Sequence, residues 1–389
     1  MKKKVSLISI VAILTLFICT GGGTLENSAL QTMIEAWPGV SVTMIRMLTT
    51  LPSFVSMFVM IIVGRIVGRK ISYRHSVIFG LVCMLAGGLT PFLIHGSWYF
   101  VLACRALMGL GVGFAALGNP LLMRTLSPEE LARYIGLGGI IGNLASVILN
   151  PVTGTLTKTG WQYAFLSNAV YLIPFVLCLL FLKEPEKIEE PAESEKKKTS
   201  LPKAVYVFII MQFFSTMVLY PLLSGISTYL SSIGITDTAV AGTMLSVYTG
   251  GGVCANLLLP SVKKLLGRNT MIYAYSLVVL GVFIVISMHN VLLITAGIFL
   301  SGMGFITLMQ MYQVYNGLIC TKEQVAKAST MVLAANQLGV FLSSFFINLS
   351  GNIGIFANEI ANTLFMCLVI YVIMALIMIV LKKKLLPAE

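Results

Sequence analysis

Charge is scarce in this chain. Asp, Glu, Lys and Arg together make up 10% of the 389 residues, hydrophobic residues make up 57%, and the mean hydropathy is +0.94. A water-soluble domain of this length cannot hide so much apolar surface, so lipid must cover most of it. Acid is scarcest: no Asp or Glu lies between positions 36 and 128. The three histidines (His75, His95, His289) all fall near helix ends, and His-Glu-x-x-His, Gly-x-Ser-x-Gly and Gly-x-x-x-x-Gly-Lys-[Ser/Thr] are absent. Metal-dependent, nucleophilic and ATP-hydrolysing chemistry are therefore not indicated, and neither an enzyme nor a cofactor is expected. The seven cysteines are scattered through apolar stretches without a Cys-x-x-Cys pair, as small membrane-core residues would be.

What the chain does have is long apolar runs. They predict helices at 5–31, 41–64, 74–95, 98–124, 131–157, 161–183, 203–231, 239–262, 270–288, 290–319, 325–350 and 357–381. Each is near or above the roughly 20 residues needed to cross about 30 Å of hydrocarbon. Barrel strands would be short and alternating, so an all-α integral membrane fold follows. The net charge of +12 orients the chain: all but three (Arg46, Arg105, Lys158) of the 26 Lys and Arg fall in alternate connections, on one side. By the positive-inside rule both termini and the central connection are expected to be cytoplasmic, in the cell membrane, with no role for nucleic acid. Lys2-Lys3-Lys4 before Val5–Thr20 resembles a secretory signal, but no small-x-small site follows, and the segment is taken as the first helix.

A local pattern recurs half a chain apart. Gly39-Val40-Ser41-Val42-Thr43 is echoed by Gly234-Ile235-Thr236-Asp237-Thr238, Gly68-Arg69-Lys70 by Gly267-Arg268-Asn269, and Ser127-Pro128-Glu129-Glu130 by Thr321-Lys322-Glu323-Gln324. Three echoes in one order imply a duplicated unit, as in secondary transporters that bind between two bundles. The expected organisation is a six-helix bundle over 1–183, a charged linker over 184–202, and a second six-helix bundle over 203–389.

Twelve helices in two halves joined by a charged loop resemble the major facilitator superfamily over essentially the whole chain. Gly64-Arg65-Ile66-Val67-Gly68-Arg69-Lys70 is similar to the family's loop signature between helices 2 and 3, although the acid that normally precedes Gly-Arg-Lys is missing. Arg105-x-x-x-Gly109-x-Gly111-x-Gly113 resembles the Arg-and-Gly motif of helix 4. Asn150-Pro151-x-x-Gly154 is a partial match to the Gly-Pro signature of antiporters, with Asn150 in place of its Gly. The resemblance implies two bundles related by a pseudo-two-fold axis. It assigns conformational roles to Gly64, Gly68, Arg69, Lys70, Gly109, Gly113, Asn150, Pro151 and Gly154, and it leans toward efflux. Small residues also serve plain helix packing, and basic loop residues plain orientation.

Charge inside the membrane is the sharper signal. At 1.5 Å per residue Glu26 lies about 31 Å from Val5, and Arg105 roughly 10 Å from the outer start of helix 4. Uncompensated charges at such depths are costly, so Glu26 and Arg105 are expected to face each other, with Arg46 nearby. In the functional reading Glu26 carries the coupling proton and Arg105 tunes it. In the bland one Glu26 sits past the end of a short helix, in interfacial water. The polar residues Asn143, Gln212, Tyr220, Tyr248, Gln310, Tyr312, Gln313 and Asn336, with Arg46, are candidates for a substrate cavity or for bonds between helices. The expectation is a monomeric secondary transporter in the lipid bilayer working by alternating access, exporting a small amphipathic compound against protons. Uptake of a small organic anion through Arg46 and Arg105 is the alternative, and a membrane sensor or scaffold the remote one.

Overall fold

The computed structural model describes residues 7–21, 25–68, 70–126, 128–185 and 200–385. Among them helices account for nearly everything, and the single bridge, Val67 to Ile71, closes a tight turn. The chain divides into two compact units, Met1–Glu193 and Ser194–Glu389.

In the first unit α1 (Leu7–Thr15) continues as the 3₁₀ turn Leu16–Gly21. After undescribed residues 22–24 the chain resumes as a 3₁₀ turn, Leu25–Ala29, and then α2 (Leu30–Ala36). The expected single helix over 5–31 is thus broken. The α-helix gives way to 3₁₀ at Leu16 and the described part ends at Gly21, a residue type that disfavours the helix interior by roughly 1 kcal/mol. There follow α3 (Val42–Ile66), α4 (Tyr73–Leu93), α5 (Trp98–Ala115), α6 (Gly118–Thr125) and α7 (Pro128–Thr157). The sixth span starts as a 3₁₀ segment, Trp161–Tyr171, and ends as α8 (Leu172–Phe181). The second unit holds α9 (Lys203–Ser224), α10 (Ile226–Ser232), α11 (Thr238–Leu266), α12 (Thr270–Ser287), α13 (Val291–Ile319), α14 (Lys322–Ser350) and α15 (Glu359–Leu385). Large apolar side chains such as Phe58, Ile62, Ile148, Leu180, Leu257, Leu280 and Val380 stand exposed, the surface a bilayer covers.

Each unit repeats one pairing scheme. In the first, α5 packs on α3 and α4, the first span packs on α7 and α8, and α4 packs on the sixth span. In the second, α13 packs on α11 and α12, α9 on α14 and α15, and α12 on α15. Two of the sequence echoes have matching local jobs. Ser41 and Asp237 cap the second helix of each unit, and Gly68 (φ 82°) and Gly267 (φ 51°) follow its end with left-handed backbone.

Candidate functional site: a buried ion pair and a neutral amide cluster

The first unit buries its charges as a network. Arg105 on α5 donates from Nη1 to Glu26 Oε1 and from Nη2 to Glu26 Oε2, both at 2.9 Å, and both side chains are 0% exposed. A fork-to-fork pair of this kind fixes direction as well as charge. Glu26 lies past the end of a short first helix, yet it is fully buried inside the first unit. Asn168, in the sixth span, donates to Glu26 Oε1 at 2.8 Å and lies against the Gly88 carbonyl on α4 at 3.2 Å. One carboxylate thereby ties the first, fourth and sixth spans together. Sequence reasoning passed over Asn168, although a lone amide in an apolar span was a usable signal.

A proline sets the position of Arg105. Pro52, inside α3, has no N–H to offer the Leu48 carbonyl four residues back, and Arg105 Nε fills that vacancy at 2.9 Å. Gly109 makes the approach possible: a Cβ there would lie 2.7 Å from the Pro52 oxygen and 2.9 Å from Val55 Cβ. The guanidinium also stands 5.8 Å from the Phe165 ring centre and 3.0 Å from the Met108 sulfur. Phe165 in turn packs against Trp161, which with Trp37 and Trp98 forms an edge-to-face aromatic cluster. Arg46, on α3, is 3% exposed.

The second unit gathers neutral groups. Gln212 on α9 donates to Asn336 Oδ1 on α14 at 2.9 Å and to Thr216 Oγ1 at 2.9 Å, while Thr216 donates to Asn336 Oδ1 at 2.8 Å. Asn336 reaches on to Gln337 at 3.4 Å. Deeper in the core, the Tyr275 and Tyr312 hydroxyls are 2.6 Å apart, and Tyr371 donates to the Ser215 carbonyl at 2.9 Å. Tyr312, fully buried, is thus used in bonding between helices. Tyr220 and Tyr248 are buried, and Asn143, Gln310 and Gln313 are half-buried on α7 and α13. A hollow of about 400 Å³ opens elsewhere, between α12 and α15, walled by Leu280, Phe283, Leu368 and Val372. Its apolar lining suits lipid and is no part of the polar cluster.

The motif residues divide. Gly68 is required twice over, by its φ and because a Cβ would come within 2.5 Å of the Tyr73 ring. Gly113 lies against Val59, whereas a Cβ on Gly64 would meet open space. Lys70 is exposed, and Arg69 lies outside the described residues. Asn150 and Gly154 are buried, and α7 runs unbroken through Pro151. Among the described residues no cluster of His, Cys, Asp or Glu could hold a metal ion.

Known proteins share this architecture. The model of the Major Facilitator Superfamily matches residues 11–344. Among curated relatives, Sugar transport protein 1 of Arabidopsis thaliana is 29% identical over 164 residues, 40% of this chain and 31% of that protein. Hexose transporter HXT14 of Saccharomyces cerevisiae is 25% identical over 154 residues, 37% of this chain and 28% of that protein. The match therefore spans less than a third of either relative. A variant of the nucleoside transporter NupG superposes with a TM-score of 0.77 at 13% identity, covering 96% of this chain and 99% of that one. A D-xylose-proton symporter gives 0.73 at 14%, covering 98% and 97%, a likeness of fold. With a family match running from the first span into the eleventh, and one helix-pairing scheme used twice, the chain belongs to the Major Facilitator Superfamily of membrane transporters.

Proposed function

We propose that the protein is a proton-coupled symporter that takes up a small neutral polyhydroxylated solute, of the sugar or polyol class, by alternating access. The observation that carries this reading is the Gln212–Thr216–Asn336 cluster. Amides and hydroxyls present donors and acceptors side by side, which is what a row of substrate hydroxyls requires, and no charge in the cluster favours an ion. The curated relatives, named as sugar and hexose transporters, support the same class. Export rested on the partial Asn150-Pro151 motif, and no relative named above is an exporter by its name. The organic-anion alternative loses Arg105, whose three side-chain nitrogens are all engaged within the first unit. Glu26 is the group assigned to the proton, since it is a fully buried acid held by side chains from the fourth and sixth spans.

The test is uptake of labelled D-xylose, D-glucose and myo-inositol into proteoliposomes under an imposed pH gradient, with a lipophilic cation as the contrasting substrate. Concentrative uptake of at least one polyol is expected. Glu26→Gln should lower that accumulation by about tenfold or more while leaving exchange at equal pH, the loss of a typical coupling free energy. Asn336→Ala should raise KM by about tenfold, the worth of one or two hydrogen bonds. Cation extrusion with no polyol movement would return the protein to the exporter class.

A further inference from the structure

The start of α4 is a helix end without an acid of its own. Its first turn holds none, and none lies between positions 36 and 128. Four backbone N–H groups there need acceptors, in a region where the helix dipole favours negative charge. Ser72 meets one of them, its hydroxyl accepting from His75 at 3.2 Å, while its carbonyl takes the Ser76 N–H at 3.2 Å as the first regular bond of the helix. Two more go to a residue more than a hundred positions away. Glu184 Oε1 accepts from the Tyr73 N–H at 2.7 Å and Oε2 from the Arg74 N–H at 2.8 Å. Arg74 crosses in the opposite direction, donating to the Leu179 carbonyl at the end of α8 at 3.0 Å.

Tyr73 makes this joint a hub. Its ring lies under the Arg124 guanidinium at 5.3 Å, at the end of α6, and occupies the space that only a glycine at position 68 leaves open. Three connections of the first unit meet on one residue: the turn after α3, the end of α6 and the end of α8.

We propose that Glu184 is a positioning residue for the transport cycle. It clasps the end of the sixth span to the start of α4, so that this end of the first unit moves as one piece and the 184–202 connection leaves it from a fixed point. The clasp goes beyond the substrate reading and stands whatever solute is carried. Glu184 is exposed, so the bonds rather than burial must hold it.

The experiment is hydrogen–deuterium exchange at single amides on the full-length protein in lipid nanodiscs. Glu184→Ala should speed exchange at the Tyr73 and Arg74 amides by about fivefold or more, the local opening that follows loss of a helix cap. The His75 and Ser76 amides, both bonded to Ser72, should change less, and Lys183→Ala should change neither pair. Glu184→Gln preserves size and one carbonyl acceptor, so it should rescue protection at one of the two amides and not the other. That half-rescue distinguishes the clasp from a general loosening, and it decides the matter if the alanine variant folds poorly. Wild-type exchange at both amides in Glu184→Ala, or full protection of both in Glu184→Gln, would overturn the proposal.

Discussion

At the scale of single residues, the Glu26–Arg105 pair is where stability meets the proposed coupling role on the same atoms. Removing one member of a buried ion pair strands the other, which costs about 3–5 kcal/mol, whereas removing both charges together is far milder. Arg105→Gln should therefore lower the melting temperature sharply, and Glu26→Ala likewise. The double variant Glu26→Gln/Arg105→Gln should recover most of the loss, because amides at both positions can still bond to each other and to Asn168. Glu26→Gln alone keeps an acceptor for Arg105 and should sit between. Thermal unfolding in detergent across the four variants measures the coupling directly. Additive losses would mean that the 2.9 Å contacts do not constitute an interacting pair. The meeting of these two residues was legible in the sequence, since charges at similar depth in a bilayer have to find each other. Asn168 was missed because an amide carries no comparable penalty and so draws no attention.

At the scale of helices, α3 and α5 meet through a device that local sequence shows only in parts. Pro52 frees a carbonyl, Arg105 takes it, and Gly109 and Gly113 let the backbones close. Each part was visible as a proline, an arginine and a glycine motif. Their conjunction required the register between two helices, which no single stretch encodes. Gly109→Val should push α5 off Pro52 and cost about 1–3 kcal/mol, the usual penalty of overpacking. It should also disturb the Arg105 Nε bond. Gly64→Ala, facing open space, meets no such clash and should hold or raise the melting temperature, since alanine suits a helix interior better than glycine. Equal stability of both variants would show that α3 and α5 leave room for a side chain at position 109. Helix boundaries show the same limit. The fourth span is interrupted just before Gly118-Asn119-Pro120 and the seventh at Gly225, after Pro221, yet hydropathy ran straight through them, because apolarity marks what lies in lipid and not whether the helix there is continuous.

At the scale of the whole molecule, the all-helical membrane class and the repeated pairing scheme were legible in the sequence, since composition and spacing report on the bilayer directly. Substrate class and direction were not, because the neutral side chains proposed to recognise the solute, such as Gln212 and Asn336, find their partners on distant helices. The orientation itself can be tested through the connection between the units. Lys196-Lys197-Lys198 offers trypsin consecutive cleavage sites on a stretch of mixed charge with little to bury. Each unit has a hydrophobic core of its own: residues such as Leu81, Met108 and Tyr171 form one, and Val218, Tyr275 and Leu364 the other. Cleavage in the connection should therefore yield two protease-resistant halves and not a cascade of small peptides. If 23 of the 26 basic residues mark the cytoplasmic side, trypsin added to inside-out vesicles should produce those halves, and trypsin added to sealed right-side-out cells should not. Cutting from the outside would invert the topology. It would place the Glu184 clasp on the exterior, and the depth of Glu26 would have to be counted from the opposite face.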